Sequence, residues 1–184
     1  MPTMSDILHL WPKHRDNITE VGFFMDRLII RIFDPENELS SSFKQFGDAE
    51  AIIYVANIAS YDVELEGMNQ LVETLKHYKE TTHDYRLTKP PIILLLNKAK
   101  EFEEKLTRSP LSLIYSDYTG GTDPDLAAKH ILELFVQLNL PGHQLRPYMV
   151  DLDHTSIQNL IYFAVLDSVF MECISKTPNL RKWQ

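Results

Sequence analysis

Residues 90–100 read PPIILLLNKAK. Pro90-Pro91 ends whatever precedes it, and the run from Ile92 to Leu96 is apolar without interruption until Asn97-Lys98. A strand wetted on one side alternates apolar and polar residues. An unbroken apolar run between a proline pair and a polar pair is the pattern of a strand covered on both faces, as in parallel sheets with helices above and below. The fold class therefore turns on whether the neighbouring segments repeat this pattern.

They do. AIIYVANIA (51–59) is a second continuous apolar run, expected as a buried parallel strand. Between the two, Leu65, Met68, Leu71, Val72, Leu75 and Tyr78 recur at the spacing of one helix face, which predicts a helix over 64–80. FEEKL (102–106) is a short helix stopped by Ser109-Pro110. Asp123-Pro124 opens a helix over 124–138, with proline in its first turn. Residues 145–152 form a last strand, and Asp153 or Thr155 caps a helix from about 156 to 175. Upstream, ITEVGFF and RLIIRIFD flank a tight turn at Met25-Asp26. The second of these strands sets Leu28, Ile30 and Ile32 against Ile29, Arg31 and Phe33, which suits a strand near a sheet edge. Strands alternating with helices predict an α/β fold, mostly parallel, with an initial antiparallel hairpin. Residues 1–17 read as an irregular arm and 18–184 as the domain.

Composition narrows the function. The chain has 184 residues, 44% of them hydrophobic, which suffices for one sizeable core. Its net charge is −8 with no basic run, so a nucleic-acid partner is not expected. The single cysteine, Cys173, rules out an internal disulfide framework and reads as a buried thiol. No apolar run reaches membrane-spanning length, and MPTMSDIL carries neither a signal-peptide pattern nor the Met-Gly start of myristoylation. We expect a soluble, cytoplasmic protein with no membrane anchor of its own.

The order of these elements resembles the Ras-like domain of a heterotrimeric G-protein α subunit. AIIYVANIASYD followed by MNQLVETLK is similar to that family's fourth strand and the helix after it. IILLLNKAKEFEEKLTRSPLSLIYSDYTGG is the most specific stretch, because the run from Asn97 through FEEKL and SPLS to Asp117-Tyr118-Thr119-Gly120 is particular to α subunits. DIL (6–8), ITE (18–20) and RIFD (31–34) resemble segments around switch I and the strand into switch II. The resemblance implies a truncated Ras-like three-layer sandwich of the P-loop GTPase type. Its central first strand, first helix, inserted helical domain and amino-terminal helix would be missing.

The resemblance also places the family's functional positions. The phosphate loop GxxxxGK[ST] has no counterpart here. Trp11 falls near the switch I arginine and His14 near its threonine, with Arg15 close by. At switch II, Asp34 is retained, while Asn37 takes the place of the glycine that meets the γ-phosphate and Glu38 that of the water-orienting glutamine. Pro35 and Glu36 put a fixed φ and a negative charge where a phosphate would lie. In the base-reading motif NKxD, Asn97 and Lys98 are retained, but Lys100 replaces the aspartate and offers only donors. The last base-contacting loop falls on Met149-Val150-Asp151-Leu152 and does not match. Seven histidines form no metal-binding pair. These departures imply vestigial nucleotide positions, no cofactor, no metal and no enzyme.

Read this way, the chain is a catalytically inactive pseudo-GTPase that works as a nucleotide-independent protein-interaction module in signalling. The family's effector groove would be built here from Phe43, Phe46, Leu71, Leu75 and Tyr78, with Trp11 on the arm. The expected partner is an effector or a regulator of G-protein signalling. A second reading is a scaffold, or a homodimer, joined through the sheet edge that the absent strand leaves open. A third is a divergent GTP-binding enzyme using Asp34, Arg15, Asn97 and Lys98 with a metal.

Overall fold

The computed structural model describes residues 13–15, 18–25, 28–35, 49–84, 87 and 90–152. The chain divides into two compact units, Met1–Asp48 and Ala49–Gln184. That division falls after residue 48, downstream of the 17/18 boundary the sequence suggested.

The first unit holds a three-stranded antiparallel sheet in the order β1-β2-β3. β2 (Ile18–Met25) pairs with β3 (Leu28–Pro35) from Ile18↔Pro35 to Met25↔Leu28, which leaves two residues for the connection, as in the shortest hairpins. β1 (Lys13–Arg15) pairs with the start of β2, so part of the expected irregular arm is a strand. Among the described residues β3 is an edge, in keeping with its partly polar pattern, and Arg31, Ile32, Phe33 and Asp34 are all exposed. Arg31 and Phe33 share one face at the period of a strand, with the guanidinium carbon 5.0 Å from the ring centroid.

The second unit is built on a parallel sheet in the order β4-β7-β8. β7 (Ile92–Asn97) is central, between β4 (Ile52–Asn57) and β8 (Leu145–Val150). Its side chains divide as the unbroken apolar run requires. Ile92, Leu94 and Leu96 join the main core with the helices, and Ile93 and Leu95 pack with Val150 in a second cluster. All five β7 apolar residues are buried. Three helices follow in chain order: α1 (Gln70–Thr82), α2 (Ala99–Leu106) and α3 (Pro124–Leu138). An aromatic stack joins α1 and α3 to the sheet. Tyr54 of β4 meets Tyr78 of α1 edge-on at 5.0 Å, and Tyr78 meets Phe135 of α3 at 5.1 Å. Burial pushes the Tyr78 hydroxyl up to about 12, and that hydroxyl donates to Asn139 Oδ1 at 3.1 Å.

Two expectations change. β4 was read as a buried parallel strand, but among the described residues it is an edge of its sheet, the position expected of a strand beside the absent one, and Val55 is 48% exposed. The predicted helix over 64–80 begins only at Gln70. Before it, β5 (Glu64–Leu65) and β6 (Met68–Asn69) form a small hairpin. Its turn places Glu66 at φ 53° and Gly67 at φ 81°, the left-handed pair that tight hairpins use. Asn69 then starts the helix. Its Oδ1 accepts from the N–H groups of Leu71 and Val72, and its Nδ2 donates to the Tyr61 carbonyl at 2.6 Å. α3 keeps the predicted bounds, capped by Asp123. The expected helix from 156 to 175 lies outside the described residues. No helix among the described residues is long and apolar enough to cross a membrane.

Candidate functional site

In an open α/β sheet, ligands approach the carboxyl ends of the strands. Here Asn57, Asn97 and Val150 end β4, β7 and β8 in register. Asn57 Oδ1 accepts from the Ala59 N–H at 3.1 Å and caps a short 3-10 turn, Ile58–Ser60. Asn97 Oδ1 accepts from the Leu152 N–H at 2.9 Å and so ties the end of β7 to the loop after β8. From that loop the Asp151 carboxylate accepts the Lys100 N–H, at 3.2 and 3.4 Å, in the first turn of α2. Between them Lys98 stands at φ 67°, ψ 41°, a left-handed conformation that costs a non-glycine residue roughly 1–2 kcal/mol. That strain persists because the residues on either side are anchored.

A second set of contacts fixes α2 from behind. Lys105 Nζ donates to the Ala59 carbonyl at 2.8 Å and to Asp62 Oδ1 at 2.7 Å. The Tyr61 hydroxyl donates to the Ser109 carbonyl. Burial alone would raise the Asp62 carboxyl, but hydrogen bonds from Lys105 and Ser109, with the charge of Lys105, hold it below the usual carboxylate range.

On the other side of the sheet edge, β4, the β5–β6 hairpin and α1 enclose a groove of about 380 Å³. Tyr54, Val55, Leu65 and Met68 supply its apolar lining, and Glu66, Glu73, Thr74 and His77 its polar rim. Leu65 is 61% and Met68 53% exposed, well above a core residue. The wall is braced by the Tyr54 hydroxyl, which donates to the Thr74 carbonyl at 2.9 Å; burial pushes that hydroxyl up.

The model of the G-protein alpha subunit family matches residues 1–169. The chain belongs to the G-protein alpha subunit family. It is 29% identical to a guanine nucleotide-binding protein alpha-3 subunit of Mycosarcoma maydis, covering 95% of this chain and 51% of that protein. A guanine nucleotide-binding protein alpha-3 subunit of Neurospora crassa is 32% identical, with 91% of this chain and 49% of that protein covered. A guanine nucleotide-binding protein alpha-2 subunit of Dictyostelium discoideum is 28% identical, covering 96% and 51%. The chain thus spans about half the length of these curated relatives. Membership accounts for the Ras-like α/β architecture.

It also corrects one expectation. The absent phosphate loop, Trp11 and His14 near the switch I positions, and the mismatches at Asn37, Glu38 and Lys100 were together read as implying that the chain is no enzyme. Its relatives are guanine nucleotide-binding proteins, and membership in their family overturns the reading that the chain is no enzyme.

The predicted site residues scatter. Asn97, Lys98 and Lys100 do come together at the strand ends, joined by Asp151 and Leu152 of the loop aligned with the last base-contacting segment. Asp34 lies on β3 of the first unit and is exposed. Trp11, Asn37, Glu38, Phe43 and Phe46 fall outside the described residues. Leu71 and Tyr78 are fully buried and Leu75 is half-buried, so this stripe is the core face of α1 and not a groove wall. The groove lies along the flank of the same helix, at Gln70, Glu73, Thr74 and His77. Sequence reading missed it because Leu65 and Met68 had been absorbed into the helix. The Glu66-Gly67 turn was the available signal.

Proposed function

We propose that the chain acts in G-protein signalling by binding a protein partner, an effector or a regulator, in the groove between β4, the β5–β6 hairpin and α1. The observation that carries this reading is the convergence of three exposed apolar side chains, Val55, Leu65 and Met68, on one concavity with a charged rim. Exposed apolar side chains gathered in one concavity with a polar border have the arrangement of a protein-binding surface. The Asn69 cap and the Tyr54–Thr74 hydrogen bond brace the groove from within the protein. Partner affinity is therefore expected to be equal with and without guanine nucleotide.

The test is binding of purified effectors and regulators to the chain and to a Val55→Ser, Leu65→Ser, Met68→Ser variant, each with no nucleotide, GDP or GTPγS plus Mg²⁺. A loss of tenfold or more, about 1.4 kcal/mol, in a variant that still melts cooperatively supports the groove. Unchanged affinity removes it, and affinity that appears only with nucleotide removes the independence.

A homodimer through the β4 edge is a second reading, and one contrast favours it. The β8 edge carries Arg146 and Pro147, which discourage strand pairing, whereas Ile52–Asn57 is uncharged and free of proline. Light scattering at high micromolar concentration tests it, since a monomer there excludes the dimer.

A further inference from the structure

The β5–β6 hairpin and the start of α1 hold apolar side chains in water. Val63 is 37%, Leu65 61%, Met68 53% and Val72 52% exposed. Leu65 and Met68 are paired across the hairpin, and both line the groove. The charges set among them have one sign. Asp62, Glu64, Glu66 and Glu73 all precede the first basic residue of this stretch, Lys76. Two of these carboxylates are matched within the protein: Lys105 holds Asp62 at 2.7 Å, and Lys76 reaches Glu73 at 3.3 Å. Glu64 and Glu66 are exposed and make no ion pair among the described residues.

We propose that this groove, taken as the docking site inferred above, receives a basic amphipathic segment of its partner, with apolar side chains on Val55, Leu65 and Met68 and Lys or Arg beside Glu64 and Glu66. The apolar lining gives any apolar peptide the gain of leaving water. The acids select among such peptides. An uncharged segment would draw Glu66 and Glu73, which line the groove, away from water with nothing in its place. An acidic segment would add like-charge repulsion. A basic one meets the carboxylates as it docks and gives them charge-assisted hydrogen bonds. Methionine suits such a surface, because its unbranched thioether adapts to side chains of different shape. The groove between α3 and β8 differs in this respect. One acid and one base, Asp125 and Lys129, line it, so charge selects no partner there.

Three labelled peptides test the class by fluorescence anisotropy. One is an amphipathic helix of Leu and Lys, the second has Glu for Lys in the same pattern, and the third scrambles the first so that it has no apolar face. The Leu/Lys peptide is expected to bind about tenfold or more tighter than either of the others, and to weaken about tenfold between about 50 mM and about 500 mM salt as the carboxylates are screened. Glu64→Gln with Glu66→Gln should lower its affinity about three- to tenfold, whereas Glu103→Gln with Glu104→Gln, exposed on α2, should leave it unchanged. Equal losses in the two double variants would reveal indiscriminate attraction to an acidic protein and overturn the proposal, as would equal affinity for the Leu/Glu peptide.

The groove and its chemistry fail separately when an effector or regulator is the ligand. If Leu65→Ser with Met68→Ser abolishes capture and Glu64→Gln with Glu66→Gln changes it by less than about twofold, the groove stands and the basic partner falls. If Leu65→Ser with Met68→Ser leaves capture unchanged, the groove falls and the basic partner with it.

Discussion

The Asn97 side chain accepts the backbone N–H of Leu152 at 2.9 Å, across a sequence separation of 55 residues. This one bond joins the end of the central strand to the loop beyond the edge strand, and holds the two loops beside the left-handed Lys98. Asn97→Ala leaves the Leu152 N–H without its acceptor and should cost about 1 kcal/mol. Asn97→Asp keeps an acceptor oxygen and should cost less. Urea denaturation gives the ranking, and faster exchange of the Leu152 amide in Asn97→Ala identifies the bond. Equal losses in the two variants would show that the acceptor is not what matters.

The Lys105–Asp62 pair predicts a pH dependence. The folded Asp62 carboxyl lies below its usual value. Its contribution is therefore present above the unfolded carboxylate range and is lost as pH falls through the folded value. Lys105→Met should destabilise by roughly 1–2 kcal/mol at pH 7, since it removes two charge-assisted hydrogen bonds from a mostly buried junction. The stability gap between wild type and variant should narrow as pH falls below about 4, leaving the part due to the Ala59 carbonyl. A gap that stays constant down to pH 2 would assign the loss to packing of the lysine stem.

Gly120 is required by contact. A Cβ there would meet the Tyr118 hydroxyl and lie 2.7 Å from its Cζ, and that tyrosine is only 6% exposed. Gly120→Ala should cost about 1–3 kcal/mol by overpacking. In a Tyr118→Ala background the same change should cost little. Additive losses in the double variant would mean that the two residues do not touch.

Leu94 and Val55 lie on adjacent strands and should behave as opposites. Leu94 is fully buried in the main core, and Leu94→Ala should cost about 2–5 kcal/mol. Val55 is 48% exposed on the sheet edge, and Val55→Ala should shift stability by about 0.5 kcal/mol or less while weakening partner capture. A large stability loss at Val55 would mean that this edge is covered.

Local pattern was enough for several features. The unbroken run from Ile92 to Leu96 announces a strand buried on both faces, because only such a strand has no use for a polar position. Asp123-Pro124 announces α3, because cap and proline act within one turn. The family was legible for the same reason: its motifs are contiguous. Tertiary structure decided what periodicity leaves open. An apolar stripe says that a surface must be covered, not what covers it, and so Leu71 and Tyr78 became core while Val55, Leu65 and Met68 became surface. The edge position of β4 depends on which strands lie beside it, and the Lys105–Asp62 and Asn97–Leu152 contacts join residues 43 and 55 apart. Burial and hydrogen bonding are settled by neighbours in space, and a linear pattern names only neighbours along the chain.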